Sequence, residues 1–234
     1  MTAQPEPGPP AQWQAPPPHP RMPRGAVHVW RANLAEAPDE LIELLSGDER
    51  ARAARFKRPR DGRLWARSRG LLRSLLGHYL QLDPGGVQIG PGPHGKPGLQ
   101  PSSPLSFNLS HSGDLALFAF TALGSVGVDV EVARRPIDTL ALAGRVFGAD
   151  AAARLERLEG TEREQEFLRL WVRHEASLKC LGTGMGGAEA SAPAGGQAPW
   201  ITDLEIGDRG AAAVALDVAP EELCCWEWRG PKES

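Results

Sequence analysis

The chain has 234 residues, 24% of them charged and 41% hydrophobic, the balance of a water-soluble globular protein rather than a disordered or fibrous one. Its formal net charge of −3 excludes a global positive field for nucleic acid or an anionic membrane, although Arg50 to Arg73 holds ten Arg or Lys residues against one acid, Asp61. Three cysteines (Cys180, Cys224, Cys225) without disulfide or metal-ligand spacing, no apolar run of roughly 18 residues, and no signal-peptide order together lead to the expectation of a cytoplasmic protein.

Residues 1–24 hold nine prolines among Gly, Gln and Ala, so a disordered tail is expected there. Order is expected from AVHVW (26–30), whose alternation reads as a strand, followed by a helical stretch at DELIELL (39–45) and another starting near Asp48. Asp61 reads as the N-cap of a long helix reaching about Leu82, where Asp83-Pro84-Gly85-Gly86 stops it. Strands are expected near 87–89, 105–109, 115–120 and 125–132, then helices over 138–147, 149–159 and 161–182. A Gly/Ala/Pro/Ser-rich loop (182–199) precedes strands near 200–206, 211–218 and 223–228. RLWARSRGLLRSLLG (63–77) and RLWVRHEASLKCLG (169–182) share RLW-x-R and two leucines at equal offsets, a match that chance or duplication would explain equally well; a duplication would imply two pseudo-symmetric halves with a cleft between their equivalent helices.

Three segments carry groups suited to chemistry. In SVGVDVEV (125–132) the valines fall on one strand face and Gly127, Asp129 and Glu131 on the other; taken alone, the two carboxylates read as the solvated side of an edge strand. On the helix containing WVRHEASLK (171–179), Glu175 and Lys179 lie one turn apart, which alone reads as a surface ion pair. Phe167, Leu170, Trp171, Leu178 and Leu181 are expected to form that helix's apolar stripe. FNLSHSGD (107–114) sets Asn, Ser and His between two hydrophobic strands, after the glycine-rich GPHGKPG (92–98), and loop amides with Lys96 and His111 suit a phosphate. Together they offer three carboxylates for a hard divalent ion, lysines for phosphoryl oxygens and an arginine-rich helix, a set fitted to transfer from a polyphosphate-containing substrate.

The segments GKP (95–97), FNLSHSGD (107–114), GVDVE (127–131) and W-x-x-x-E-A-x-x-K-x-x-G (171–182) resemble, in order, the motifs of the 4'-phosphopantetheinyl transferases, in particular the larger, surfactin-synthetase-activating type with two related halves in one chain. The resemblance implies an α+β fold of two pseudo-symmetric α/β halves, each a small sheet packed by a long helix. The halves would span 25–122 on the coenzyme A nucleotide side and 123–230 on the metal and catalytic side. It implies Mg²⁺-dependent transfer of the phosphopantetheine arm of coenzyme A to a serine of an acyl- or peptidyl-carrier protein, with Mn²⁺ as a substitute ion and adenosine 3',5'-bisphosphate as the second product. Carried over by position, Asp129, Glu131 and Glu175 would bind the metal, Glu175 would accept the serine proton and Lys179 would hold the transferring phosphoryl group. Ser110 and His111 would meet the 3'-phosphate region, with Gly95, Lys96 and Pro97 nearby and Arg52 adding charge on the far side. His174 stands where the family usually has Lys, so a permanent cation at the phosphates becomes a conditional one. Two fused halves imply a monomer, and the net charge leads to the expectation of neither a nucleic-acid nor a membrane partner. The rival readings are a nucleic-acid-binding protein using 50–73 and an inactive family member that only binds coenzyme A.

Overall fold

The computed structural model describes residues 12–92, 95–132, 138–182, 198–208 and 210–230. The first half runs from strand β1 (Ala26–Asn33) through a 3-10 turn (Asp39–Leu44) and helix α1 (Gly47–Ala54) to the long helix α2 (Pro59–Leu80). The hairpin of β2 (Ile89–Pro91) and β3 (Pro97–Leu99) follows, then β4 (Ser106–Ser112) and β5 (Leu115–Thr121). The second half repeats the plan. Strand β6 (Val126–Val132) leads through α3 (Thr139–Val146) and α4 (Ala149–Glu156) to a second long helix, α5 (Gly160–Leu181), then β7 (Trp200–Leu204) and β8 (Gly210–Leu216).

Strand order shows that the repeat is architectural. In the first sheet β5 lies between β4 and β1, and in the second β8 lies between β7 and β6, with antiparallel pairing throughout both triples. The last strand, β9 (Glu222–Glu227), leaves the second half and pairs parallel with β1, so the chain's end closes the first sheet.

The two sheets pack face to face, with one long helix outside each. Because side chains alternate across a strand, Val27 and Val29 of β1 and Leu117 and Ala119 of β5 meet Val126, Val128, Val130, Val214 and Leu216 of the second sheet. Trp30, Ala32, Phe118 and Phe120 point the other way, onto Leu71, Leu72, Leu75 and Leu76 of α2. Burial on both faces explains why β1 is buried from Ala26 to Trp30 although its sequence reads as a one-sided strand.

Several expectations change in detail. Helix α2 begins at Pro59 with Arg58 at the N-cap, and Asp61 sits in the first turn, where it favours the helix dipole without capping an amide. The helix ends at Leu80 because Gln81 takes a left-handed conformation (φ 56°) and its amide returns to Gly77 and His78. The Pro-rich arm is ordered over 12–24: Gln14 forms a parallel bridge beside Trp226, its amide reaching Cys225 O at 3.0 Å and its carbonyl accepting from Glu227 N at 2.9 Å. Trp13 donates to Glu205 O, Arg31 lies over the Trp13 ring, and His78 bonds Pro20 O. Prolines with fixed φ lose little entropy on docking, and a strand edge supplies the partners that composition cannot reveal. Most of the 182–199 loop lies outside the described residues.

Candidate functional site

The site forms along one side of the packed sheets, where an edge strand of each comes beside the other. Strand β4 borders the first sheet, β6 borders the second, and they lie side by side without a shared backbone ladder. Side chains supply the missing bonds. Asn108, Ser110 and Ser112, alternate residues on one face of β4, reach β6 in turn: Asn108 Oδ1 accepts from Val128 N at 2.9 Å, Ser110 Oγ donates to Asp129 Oδ1 at 2.8 Å, and Ser112 Oγ donates to Glu131 Oε2 at 2.9 Å.

Helix α5 closes the third side. Small residues bring it close: a Cβ on Gly127 would stand 2.0 Å from Ala176 O, and Val172, Ala176 and Cys180 pack on Ala213 and Ala215. The stripe facing the sheet is therefore made of small side chains. The larger expected stripe divides, Phe167 and Trp171 meeting α3 and α4 while Leu178 and Trp171 border a cavity. Spacing of i, i+4, i+7 and i+8 puts Trp171, Glu175, Leu178 and Lys179 on that cavity, about 330 Å³ in volume, with Ser110, Asp129 and Glu131 opposite.

Its electrostatics are uneven. Lys179 Nζ donates to Asp129 Oδ1 at 2.6 Å, Ser110 Oγ at 3.1 Å and Val128 O at 3.3 Å. Asp129 is 4% exposed, and its other oxygen, Oδ2, is buried without a hydrogen-bond partner among the described residues. A buried carboxylate oxygen left so is costly unless a cation or donor reaches it. Burial raises the Glu175 carboxyl above its ordinary range, neighbouring Asp129 and Glu131 add to the rise, and Lys179 opposes it. One ammonium thus faces three carboxylates. Among the described residues no three His, Cys, Asp or Glu side chains stand close enough to enclose a metal by themselves. Mg²⁺ does not require such a cage, since it keeps waters and substrate oxygens as ligands. The orphaned Oδ2 and the excess negative charge fit a hard cation.

A second cavity, about 850 Å³, shares Glu131 with the first and carries His111, Arg58, Arg60 and Leu64. Arg60 spans part of it to Asp114 at 2.8 Å. Five of the expected site residues (Ser110, Asp129, Glu131, Glu175 and Lys179) are thus brought together, with His111 next door.

Others go elsewhere. Lys96 donates to Val126 O at 2.8 Å, at the far end of β6, where burial lowers its pKa. Gly95 supplies the left-handed corner (φ 81°) that turns the hairpin, and Pro97 pairs with Pro91. Arg52 lies over the Trp65 ring at 5.1 Å and borders neither cavity. His174 packs edge-on against Phe147 with ring centroids 5.7 Å apart, and burial lowers its pKa, so it brings no fixed positive charge. Arg58, Arg60 and Ser112 were not singled out from sequence; alternation from Asn108 through Ser110 would have found Ser112.

The chain is similar to known proteins over most of its length. Residues 29–122 match the family model described as 4'-phosphopantetheinyl transferase, N-terminal, and residues 125–223 match the 4'-phosphopantetheinyl transferase superfamily. The chain is 38% identical over 179 residues to the 4'-phosphopantetheinyl transferase HetI of Nostoc sp. (strain PCC 7120), covering 74% of this chain and 76% of that protein. It is 29% identical over 159 residues to the 4'-phosphopantetheinyl transferase ffp of Bacillus subtilis, covering 68% and 70%. With the 4'-phosphopantetheinyl transferase AcpT of Escherichia coli (strain K12) it shares 38% identity over 110 residues, 47% of this chain and 55% of that one.

Proposed function

Because the chain belongs to the 4'-phosphopantetheinyl transferase superfamily and is a phosphopantetheinyl transferase, we propose that it takes the 4'-phosphopantetheine arm from coenzyme A to a serine of an acyl- or peptidyl-carrier protein, as a cytoplasmic, Mg²⁺-dependent monomer. The observation that carries this reading is the cavity where Asp129, Glu131, Glu175 and Lys179 meet, with Asp129 Oδ2 buried and without a hydrogen-bond partner among the described residues.

In this reading Asp129, Glu131 and Glu175 are the residues that would hold Mg²⁺, or Mn²⁺ in its place. When bound, the ion supplies positive charge to pyrophosphate oxygens that gain negative charge as the bond breaks. Glu175, placed on the same cavity wall as Lys179, accepts the proton of the carrier serine Oγ. The serine Oγ–phosphorus bond forms as the bond from that phosphorus to the bridging pyrophosphate oxygen breaks, and the electron pair leaves with adenosine 3',5'-bisphosphate. Lys179 moves its ammonium from Asp129 toward the transferring phosphoryl oxygens, a stabilisation that grows with their charge. Ser110 fixes Asp129, and Trp171 and Leu178 exclude water from one wall.

The first half serves the nucleotide side and the second the metal and catalytic side. His111, with Arg58 and Arg60, offers the neighbouring cavity to the 3'-phosphate, because guanidinium groups pair well with phosphate oxygens. Incubation of the protein with Mg²⁺, coenzyme A and a panel of apo carrier domains should add one phosphopantetheine mass to at least one carrier, read by intact mass spectrometry. No gain on any fatty-acid, polyketide or peptide-synthetase carrier contradicts the proposal.

A further inference from the structure

Glu131 and Asp129 are held in different ways. Asp129 lies deep at the joint, 4% exposed and bonded by Ser110 and Lys179. Glu131 sits near the end of β6, half-buried, and borders both the small cavity and the larger one beside His111. A long side chain there has a choice of rotamers directed to either space, and burial alone does not select among them.

Ser112 restricts that choice. Its hydroxyl donates to Glu131 Oε2 at 2.9 Å and accepts from Val132 N at 3.1 Å, so both the proton and a lone pair are committed and the Oγ cannot rotate without losing a bond. Ser112 is itself 7% exposed, and β4 fixes it by pairing with Leu115 of β5. The chain of constraint runs from the first sheet, through one hydroxyl, to a carboxylate on the second.

We propose that Ser112 is a positioning residue that orients the Glu131 carboxylate for the divalent ion, so that the first half of the chain sets the geometry of a metal ligand carried by the second. This rests on the reading of Glu131 as a ligand. Hydrogen-bond partners of ligating carboxylates typically contribute about 10- to 100-fold to metal affinity. Removing the Ser112 hydroxyl should act within that range, without changing the ligand set.

Mn²⁺ binding to the full chain in the presence of coenzyme A, followed by electron paramagnetic resonance, tests this apart from turnover. Ser112→Ala should weaken Mn²⁺ about tenfold or more, Ser112→Thr should restore most of the affinity, and Ser112→Ala should add little once Glu131→Gln is present. Unchanged affinity in Ser112→Ala, with Glu131→Gln weakened, overturns the positioning role and leaves the ligand reading intact. Equal loss from Ser112→Ala in both backgrounds also overturns it, since the effect then does not pass through Glu131. Unchanged affinity in Glu131→Gln removes Glu131 from the ligand set and the inference with it.

Discussion

At the scale of single residues, the main departure from the family pattern is His174, one position before Glu175. A lysine there would supply a permanent charge, whereas the histidine leans on Phe147 and burial lowers its pKa. That setting favours the neutral imidazole, and the cation bonded to a carboxylate of the site is Lys179; pH 6 to 8 is the range in which the difference is read. His174→Gln should change turnover by less than about threefold across that range and leave the shape of the pH profile unaltered. A matched fall in activity above pH 6.5 in the parent, absent in the variant, would show instead that a protonated His174 takes part. The motif around Glu175 was legible in the sequence, but the surroundings of His174 were not, because Phe147 comes from another helix.

At the scale of elements, close approach of α5 to β6 sets the distance between Glu175 and Asp129. The sequence signals it only as a Gly among valines and as alternate alanines in β8, features that read equally well as a weak strand. Space decides: Gly127 meets the α5 backbone, so an added methyl must push the helix off the sheet. Gly127→Ala should destabilise the protein by about 1–3 kcal/mol, measured by urea unfolding, as overpacked cores do. It should also lower transfer activity, because the same shift separates the two carboxylates. Wild-type stability in that variant would mean that α5 moves away at no cost.

Lys96 marks the limit of motif reading at this scale. GKP resembles a phosphate-binding turn, yet the ammonium serves the backbone carbonyl of buried Val126 at the start of β6. Among the described residues β6 pairs only with β8, so the carbonyl on its other edge is met by a side chain, which no local pattern reveals.

Across the whole molecule, the four layers and the repeated strand–helices–strands plan follow from patterns present in the sequence. Periodicity located nearly every element, and the RLW repeat falls on the two long helices. The return of β9 to the first sheet and the docking of 12–24 were not legible, because both depend on an open strand edge that exists only after folding. Packing between the first sheet and α2 also buries His28, whose Nδ1 shares a hydrogen bond with the Tyr79 hydroxyl, itself an acceptor from Trp30 Nε1. Burial lowers the His28 pKa to about 4 from its ordinary 6.5. Above pH 6.5 the group is neutral whether folded or not and costs nothing. As pH falls from 6.5 to 4 the unfolded chain takes up a proton that the folded one refuses, so stability falls by up to about 1.4 kcal/mol per pH unit. His28→Asn, which keeps an acceptor at that place, should flatten this part of the stability profile by urea titration at several pH values. An unchanged slope would assign the acid sensitivity to other groups.

Transfer at the cavity where the two halves join is tested most directly through Glu175. The measurement is transfer to an apo carrier by wild type and by Glu175→Gln, with coenzyme A affinity determined by calorimetry on the same preparations. Loss of turnover by about 10²- to 10⁴-fold with coenzyme A binding largely retained is the predicted result. Equal turnover in the two proteins would contradict it.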